Sequence, residues 1–303
     1  ILRSSRHFAR DRLGLRLPRP ERISGDLDPA TLDGLERYRL GSAFLEHLEA
    51  GASIEEAERR LEANVLLPAG VPGRLAARDL RREVERILEV ASKRRAGSRL
   101  DDRPFDLDLE TEALGKVRIT GTLDDLWPGG RVRLAFTRIG GAGDLELWIR
   151  HLVLCAWLEE EKLACPPESF LVGRPTSGSE GKRVVRLAPV SEPDRPLATL
   201  FEWAWSADEA PLPFFPKSSR RYVEKHVASG PAIAWREAQG ELFGRDALND
   251  RPAEIERDLE TRRVWEGLSP VEMSTGPSLR YRFEELASGF FEPLLRARTE
   301  STE

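Results

Sequence analysis

Asp124 is the residue on which metal-assisted chemistry would turn. It closes the run Ile119-Thr120-Gly121-Thr122-Leu123-Asp124-Asp125, which reads as a strand ending in acids. A carboxylate on one strand, a second on its neighbour and a nearby lysine can hold a hard divalent ion and steer an attacking water. The segment that follows, Arg131-Val132-Arg133-Leu134-Ala135-Phe136-Thr137-Arg138, has neither a carboxylate nor a lysine. One Asp alone holds Mg²⁺ poorly, because the ion demands a defined octahedral set of hard ligands. Asp124 is then a turn residue capping local amides, or it works with a relocated acid from Asp144 or Glu146. Those two acids stand at the next helix start, where negative charge is favoured anyway.

The basic groups nearest this segment are the candidate DNA contacts: Arg118, Arg131, Arg133, Arg138 and, further on, Lys182. Arginine pairs bidentately with phosphate. Strand alternation puts Arg131 and Arg133 on one face and Leu134 and Phe136 on the other. The competing reading is a solvated sheet face. Trp127 is either a stacking wedge or a cover for the end of the core. The Gly178–Lys182 stretch lacks the spacing of a phosphate loop. Candidate protein contacts are the apolar run Leu212, Phe214 and Phe215, and Phe290 and Phe291 in the last helix. Cys155 and Cys165 read as ordinary thiols, and four histidines are too dispersed for a metal site. No cofactor and no bound metal are expected.

Three regions must position these groups. Residues 1–98 form a helical region. A helix begins near Asp33, a second is capped by Ser53 with Glu56 completing a capping box, and a long one runs from Arg74 to Lys93. Its core candidates are Leu75, Leu80, Val84, Ile87, Leu88 and Ala91. Residues 99–192 change period. Strands are expected at Phe105–Leu109, Lys116–Leu123 and Arg131–Phe136, with the Trp127–Gly130 turn joining the last two into a hairpin. A helix over Asp144–Glu160 and strands at Ser169–Val172 and Arg183–Leu187 follow. Residues 193–303 are mainly helical, including helices over Pro252–Trp265 and Tyr281–Ala297, and end in a frayed polar tail, Thr299–Glu303. The fold class is α/β, a mixed central sheet with large flanking helical regions.

Composition bounds the function. The 303 residues are 40% hydrophobic, enough for a sizeable core. With 47 basic and 52 acidic residues the net charge is -5, which argues against a free-standing DNA-binding domain but not against a local basic channel. No membrane span and no secretion signal are evident, so a cytoplasmic location is expected. The chain opens on Ile1 and holds one Met, as expected of a piece of a longer protein.

The 99–192 region resembles the restriction-endonuclease-like, or PD-(D/E)XK, nuclease core. In that pattern Asp124 takes the place of the first metal carboxylate, Ala135 that of the second acid and Thr137 that of the lysine. Further strings narrow the resemblance. Arg6-His7-Phe8-Ala9-Arg10-Asp11-Arg12-Leu13-Gly14-Leu15, Leu32-Asp33-Gly34-Leu35-Glu36-Arg37-Tyr38 and Leu67-Pro68-Ala69-Gly70 come first. Ile119-Thr120-Gly121 with Trp127-Pro128-Gly129-Gly130, and Leu147-Trp148-Ile149-Arg150-His151-Leu152-Val153-Leu154-Cys155-Ala156, follow in order. Together they are similar to the C-terminal domain of the RecC family, the gamma subunit of exodeoxyribonuclease V. Pro211–Pro216 and the last helix extend the likeness over nearly the whole chain. The resemblance implies an inactivated nuclease-like domain in a helicase–nuclease complex that processes double-strand breaks for recombination. It implies RecB-like and RecD-like partner subunits, and contact with DNA inside the complex. The alternatives are an active metal-dependent nuclease of the AddB/RecB type, and a protein-interaction module without DNA contact.

Overall fold

The computed structural model describes residues 3–17, 31–64, 66–139, 142–160, 165–175, 181, 183–244, 253–256, 258–267, 272 and 280–302. They fall into two compact units. One comprises Ile1–Glu21, Asp106–Thr120 and Val190–Ala297; the other comprises Arg22–Phe105, Gly121–Pro189 and Arg298–Glu303.

The second unit carries the sheet. Helix α2 (Gly34–Glu49) starts where Asp33 accepts from the amides of Leu35 and Glu36 while Glu36 reaches back, a complete capping box. Ser53 and Glu56 form another at the start of α3 (Ile54–Glu62), as the sequence predicts. Helix α4 (Val71–Ser92) begins three residues earlier than expected, with Pro72 in its first turn, where a missing N–H costs nothing. Its buried stripe is Ala77, Leu80, Val84, Ile87 and Ala91, at three- and four-residue spacing. Leu75, expected inside, is exposed: Ala77 continues the spacing from Leu80 and Leu75 falls off it.

The strands are β1 (Arg103–Thr111), β2 (Gly115–Leu123), β3 (Leu126–Trp127), β4 (Gly130–Arg138), β5 (Ser169–Arg174), β6 (Val184–Leu187) and β7 (Arg298–Ser301). A mixed five-stranded sheet runs β3-β4-β5-β6-β7, with β4 and β5 parallel and the other pairs antiparallel. Helices α2 and α4 pack against one face through Val132, Leu134, Phe136, Phe170 and Val172. Helix α5 (Ala142–Glu160) contacts β4, β5 and β6. The approach of α2 is close: a Cβ on Gly41 would stand 2.2 Å from the Phe136 ring. The fold class is therefore α/β with a mixed sheet, as expected.

Three expectations are corrected. The hairpin between Lys116–Leu123 and Arg131–Phe136 does not form. β2 pairs with β1 in a separate two-stranded sheet, and the Pro128–Gly129 turn instead joins the short β3 to β4, with Trp127 opposite Gly130. Asp125 lies between β2 and β3 with φ +57°, a left-handed conformation that aspartate tolerates, and this breaks the strand. The tail is not frayed. β7 pairs with β6 through residues Arg298 to Ser301, and Arg298 Nη2 lies 2.7 Å from the buried Asp144 carboxylate at the start of α5. The expected Pro252–Trp265 helix is a 3₁₀ turn (Glu254–Glu256) and a separate α9 (Leu259–Trp265), because Asp258 accepts from the Thr261 amide and opens a new helix.

The first unit holds α1 (Ser4–His7) and the π-helical turn Phe8–Arg12, then α6 (Asp194–Glu209), α7 (Pro216–Ser229), α8 (Pro231–Phe243), α9 and α10 (Phe283–Ala297). Its core is aromatic. Phe214 lies 5.1 Å from Phe290 and stacks on Phe291, and Phe215 meets Trp265 edge-on. The candidate interface residues Leu212, Phe214, Phe215, Phe290 and Phe291 are thus corrected to core residues, none more than 3% exposed. Their apolar bulk fills this helical unit and presents no surface to a partner. Helix α7 has no cap of its own. Buried Glu254 supplies one from elsewhere in the chain, accepting from the Lys217 amide (2.9 Å), the Ser218 amide (2.7 Å) and the Ser218 hydroxyl (2.6 Å).

Candidate functional site

Asp124 follows β2, one residue before the left-handed Asp125. Its side chain faces arginines. Oδ1 accepts from Arg131 Nη2 at 2.8 Å and from Arg150 Nη1 at 3.1 Å, and its main-chain carbonyl accepts from Arg131 Nε at 3.1 Å. Arg131, on β4, is only 1% exposed, so its guanidinium is a buried cation gripping both the side chain and the backbone of Asp124. Arg150 comes from α5 and also meets Glu146 one turn earlier, at 3.4 Å. Burial pushes the Asp124 carboxyl up. The Arg131 hydrogen bond and the charges of Arg131, Arg150 and Arg133 outweigh it and hold the carboxyl below the usual carboxylate range.

Asp125 extends the network. Arg133 Nη1 donates to it at 3.2 Å, and Arg99 and Arg131 lie at 3.8 and 3.9 Å. Behind this row, His151 of α5 is fully buried, with Nε2 2.9 Å from the Ala188 carbonyl and Nδ1 3.0 Å from the Ser169 hydroxyl. Nε2–H must donate to the carbonyl, so Nδ1 accepts from Ser169. Burial lowers the imidazole to about 4, with Arg131 adding to the shift, and the ring is neutral at physiological pH.

The donor set does not fit a divalent ion. The two acids proposed as relocated ligands are engaged otherwise: Asp144 with Arg298, and Glu146 with the same Arg150 that holds Asp124. Ala135 and Thr137, on the same alternating row as Arg131 and Arg133, offer a methyl and a hydroxyl where a second acid and a lysine are needed. Among the described residues no three His, Cys, Asp or Glu gather as a ligand cluster. A Mg²⁺ at Asp124 would have to displace two guanidinium groups, one of them buried. Arg99 and Arg150 escaped sequence reasoning, though each bonds a nearby acid, Asp102 or Glu146, within one turn.

The candidate DNA contacts separate. Arg131 is corrected, since its burial on Asp124 leaves it no surface. Arg133 is half-exposed and paired with Asp125. Arg138 is exposed and makes no ion pair among the described residues. Arg118, in the other unit, forks onto Asp106 across the β1–β2 ribbon, with Nε at 2.6 Å. Lys182 lies outside the described residues. Trp127 covers the core: it is half-buried, with the Arg95 guanidinium 4.8 Å over its ring. Cys155 and Cys165 are both buried, and neither is in a disulfide.

Comparison with known proteins adds what geometry alone does not. The family described as the RecC C-terminal domain matches residues 5–227. The protein named RecBCD enzyme subunit RecC from Mycolicibacterium smegmatis is 27% identical over 282 residues, covering 90% of this chain and 24% of that protein. Its namesake from Escherichia coli is 30% identical over 132 residues, 43% of this chain and 11% of the relative. The one from Buchnera aphidicola is 23% identical over 128 residues, 42% and 12% respectively. The chain therefore spans a quarter or less of the length of these relatives.

Proposed function

The chain belongs to the family of RecC C-terminal domains, and from that premise we propose that it is a noncatalytic domain of a RecBCD-type helicase–nuclease complex. In that role it braces the RecB-like and RecD-like motor subunits and guides or separates DNA strands during double-strand-break processing. The donor set around Asp124, which does not fit a divalent ion, supports the noncatalytic part of this reading. The observation that carries this reading is the Asp124–Arg131 pair: the carboxylate that the nuclease resemblance singles out already has a buried guanidinium on it. With two guanidinium groups on it, the Asp124 carboxylate is not free to hold a cation that would activate water, and Arg131, Arg150 and Ala135 supply no substitute base.

What remains suits handling rather than cutting DNA. Arg133 and Arg138 stand on a rigid strand and can meet phosphate oxygens without chemistry. The test is a cleavage assay with end-labelled single- and double-stranded DNA in Mg²⁺ or Mn²⁺, run on the chain and on its D124A variant. No metal-dependent product from either form is expected. Cleavage by the chain that D124A abolishes would overturn the noncatalytic assignment and favour the AddB/RecB-type alternative.

A further inference from the structure

The β1–β2 ribbon is a sheet of two strands, so each strand has a neighbour on one side only. Its two faces follow from strand alternation. On one face Arg118 of β2 donates to Asp106 of β1, with Nε at 2.6 Å, and Lys116 pairs with Asp108 at 2.9 Å. The other face carries Leu107 and Leu109 of β1 and Val117 and Ile119 of β2. The strands are not equally covered. Leu107 and Leu109 are buried, whereas Val117 and Ile119 are half-buried and Lys116, Arg118 and Thr120 are exposed. Among the described residues no backbone hydrogen bond reaches the outer side of β2.

An edge strand turns the N–H and C=O groups of alternate residues outward, and these are a template for another strand. Proteins commonly blunt such edges by keeping them short or by placing proline in them. β2 has nine residues and no proline. The ribbon is also set before anything joins it. The Thr111 hydroxyl donates to the Gly115 carbonyl at 2.7 Å, and the Ala113 amide in the turn donates to Glu202 of α6 at 2.8 Å. The kind of strand that suits β2 is shown by β1. Asp106-Leu107-Asp108-Leu109-Glu110 alternates acids with apolar residues, and its first two acids meet Arg118 and Lys116. The open side of β2 offers the same two rows: two exposed cations on one face, and Val117 and Ile119 awaiting cover on the other. The β2 strand of a second copy would bring only further cations to that row, and like charges side by side are unfavourable.

We infer that the outer edge of β2, over Lys116 to Thr120, docks an extended segment of a partner protein in which acids alternate with apolar residues, adding a third strand to the ribbon. Main-chain hydrogen bonds hold the segment along the edge. Its acids lie beside Lys116 and Arg118, and its apolar side chains cover Val117 and Ile119. The inference does not rest on the noncatalytic reading, whose cleavage assay has a separate readout.

The test uses the full chain and a fluorescent, end-capped peptide with the sequence of residues 105–111, read by fluorescence anisotropy and by hydrogen exchange. A control peptide carries lysine in place of each acid. The expected result is binding of the acidic peptide alone, with new protection of the amides between Gly115 and Thr120 while those of β1 stay protected. Lys116→Gln with Arg118→Gln should weaken binding about fivefold, the worth of two cross-strand charge pairs. Folding of that variant is checked by circular dichroism, and if it misfolds, the exchange pattern of the parent chain decides. Four results overturn the inference: no binding, equal binding of the lysine peptide, binding without new protection in β2, or loss of protection in β1, which would mean that the peptide replaces β1. Protection of β2 that rises with protein concentration in the absence of peptide overturns it too, and makes a second copy of the chain the occupant.

Discussion

Replacing Asp124 with alanine separates a structural ion pair from a worn metal ligand. If Asp124 were a leftover ligand with no other work, removing it would relieve local negative charge and leave stability unchanged or improved. The geometry predicts the opposite. Arg131 is 1% exposed and would lose its closest carboxylate, at 2.8 Å. Stripping one partner from a buried pair costs about 3–5 kcal/mol, because the remaining charge stays desolvated. Two features lower that figure: the Asp124 side chain is itself 32% exposed, and Asp125 remains 3.9 Å from Arg131. A loss of about 2–3 kcal/mol follows, or a melting point lower by about 5–10 °C. D124N, which keeps an acceptor for Arg131, should lose less. The two units need not unfold together, so hydrogen exchange of the β4 and β5 amides is the readout, since it reports this unit by itself. The sign with pH is also fixed. The folded carboxyl is held below its unfolded pKa of about 3.9, so its contribution is complete above that pH and fades as pH falls towards the folded value. D124A should flatten that acid limb. Exchange rates in D124A within experimental error of the parent would refute the structural pair, as would an increase in protection.

Two other positions give predictions of the same kind. Arg298→Ala takes the 2.7 Å guanidinium from the 1%-exposed Asp144 and unpins β7 from α5, so a lowered melting point is expected, with a loss below the about 3–5 kcal/mol of a fully stripped buried pair; an unchanged melt would return the tail to a frayed end. His151 is neutral in the fold with a pKa of about 4, against about 6.5 when unfolded, so only the unfolded state takes up a proton between those values. Stability should therefore fall by up to about 3 kcal/mol as pH drops from 6.5 to 4, and His151→Gln should remove that slope; a His151 ring titrating near 6.5 by NMR would contradict its burial.

Local chemistry was legible in the sequence, and pairing was not. Asp33 and Ser53 with Glu56 announced two helix starts because capping is settled within four residues. The stripe on α4 was legible because its period is set by one face. Strand period likewise reported which β4 residues share a face, but it says nothing about which strand lies alongside. That is why the expected partner of Arg131–Phe136 was β2 and the real neighbours are β3 and β5. The closing strand Arg298–Ser301 has no apolar alternation, since it is anchored by ion pairs at a sheet edge. Phe214 and Phe290 illustrate the converse limit: apolar bulk reads the same in a core as at an interface until the contacts are known.

The arginine on Asp124 was the least legible feature, because a charged residue on an alternating strand reads as surface. What decides its burial is the carboxylate seven residues earlier, brought back by the turn at Pro128–Gly129. That contact gives Asp124 a structural role that needs no second acid and no lysine beside it. An unpaired Asp beside the sheet would be a partly buried charge without compensation. A buried guanidinium without that Asp would be worse, since arginine cannot shed its proton. The two residues require each other, and together they satisfy electrostatically what a metal nuclease satisfies with an ion. The pair also stands against building a metal site at this place. An acid placed at Ala135 and a lysine at Thr137 would still meet Arg131 and Arg150 already bonded to the first carboxylate. The site is closed by the groups that are present as much as by those that are missing.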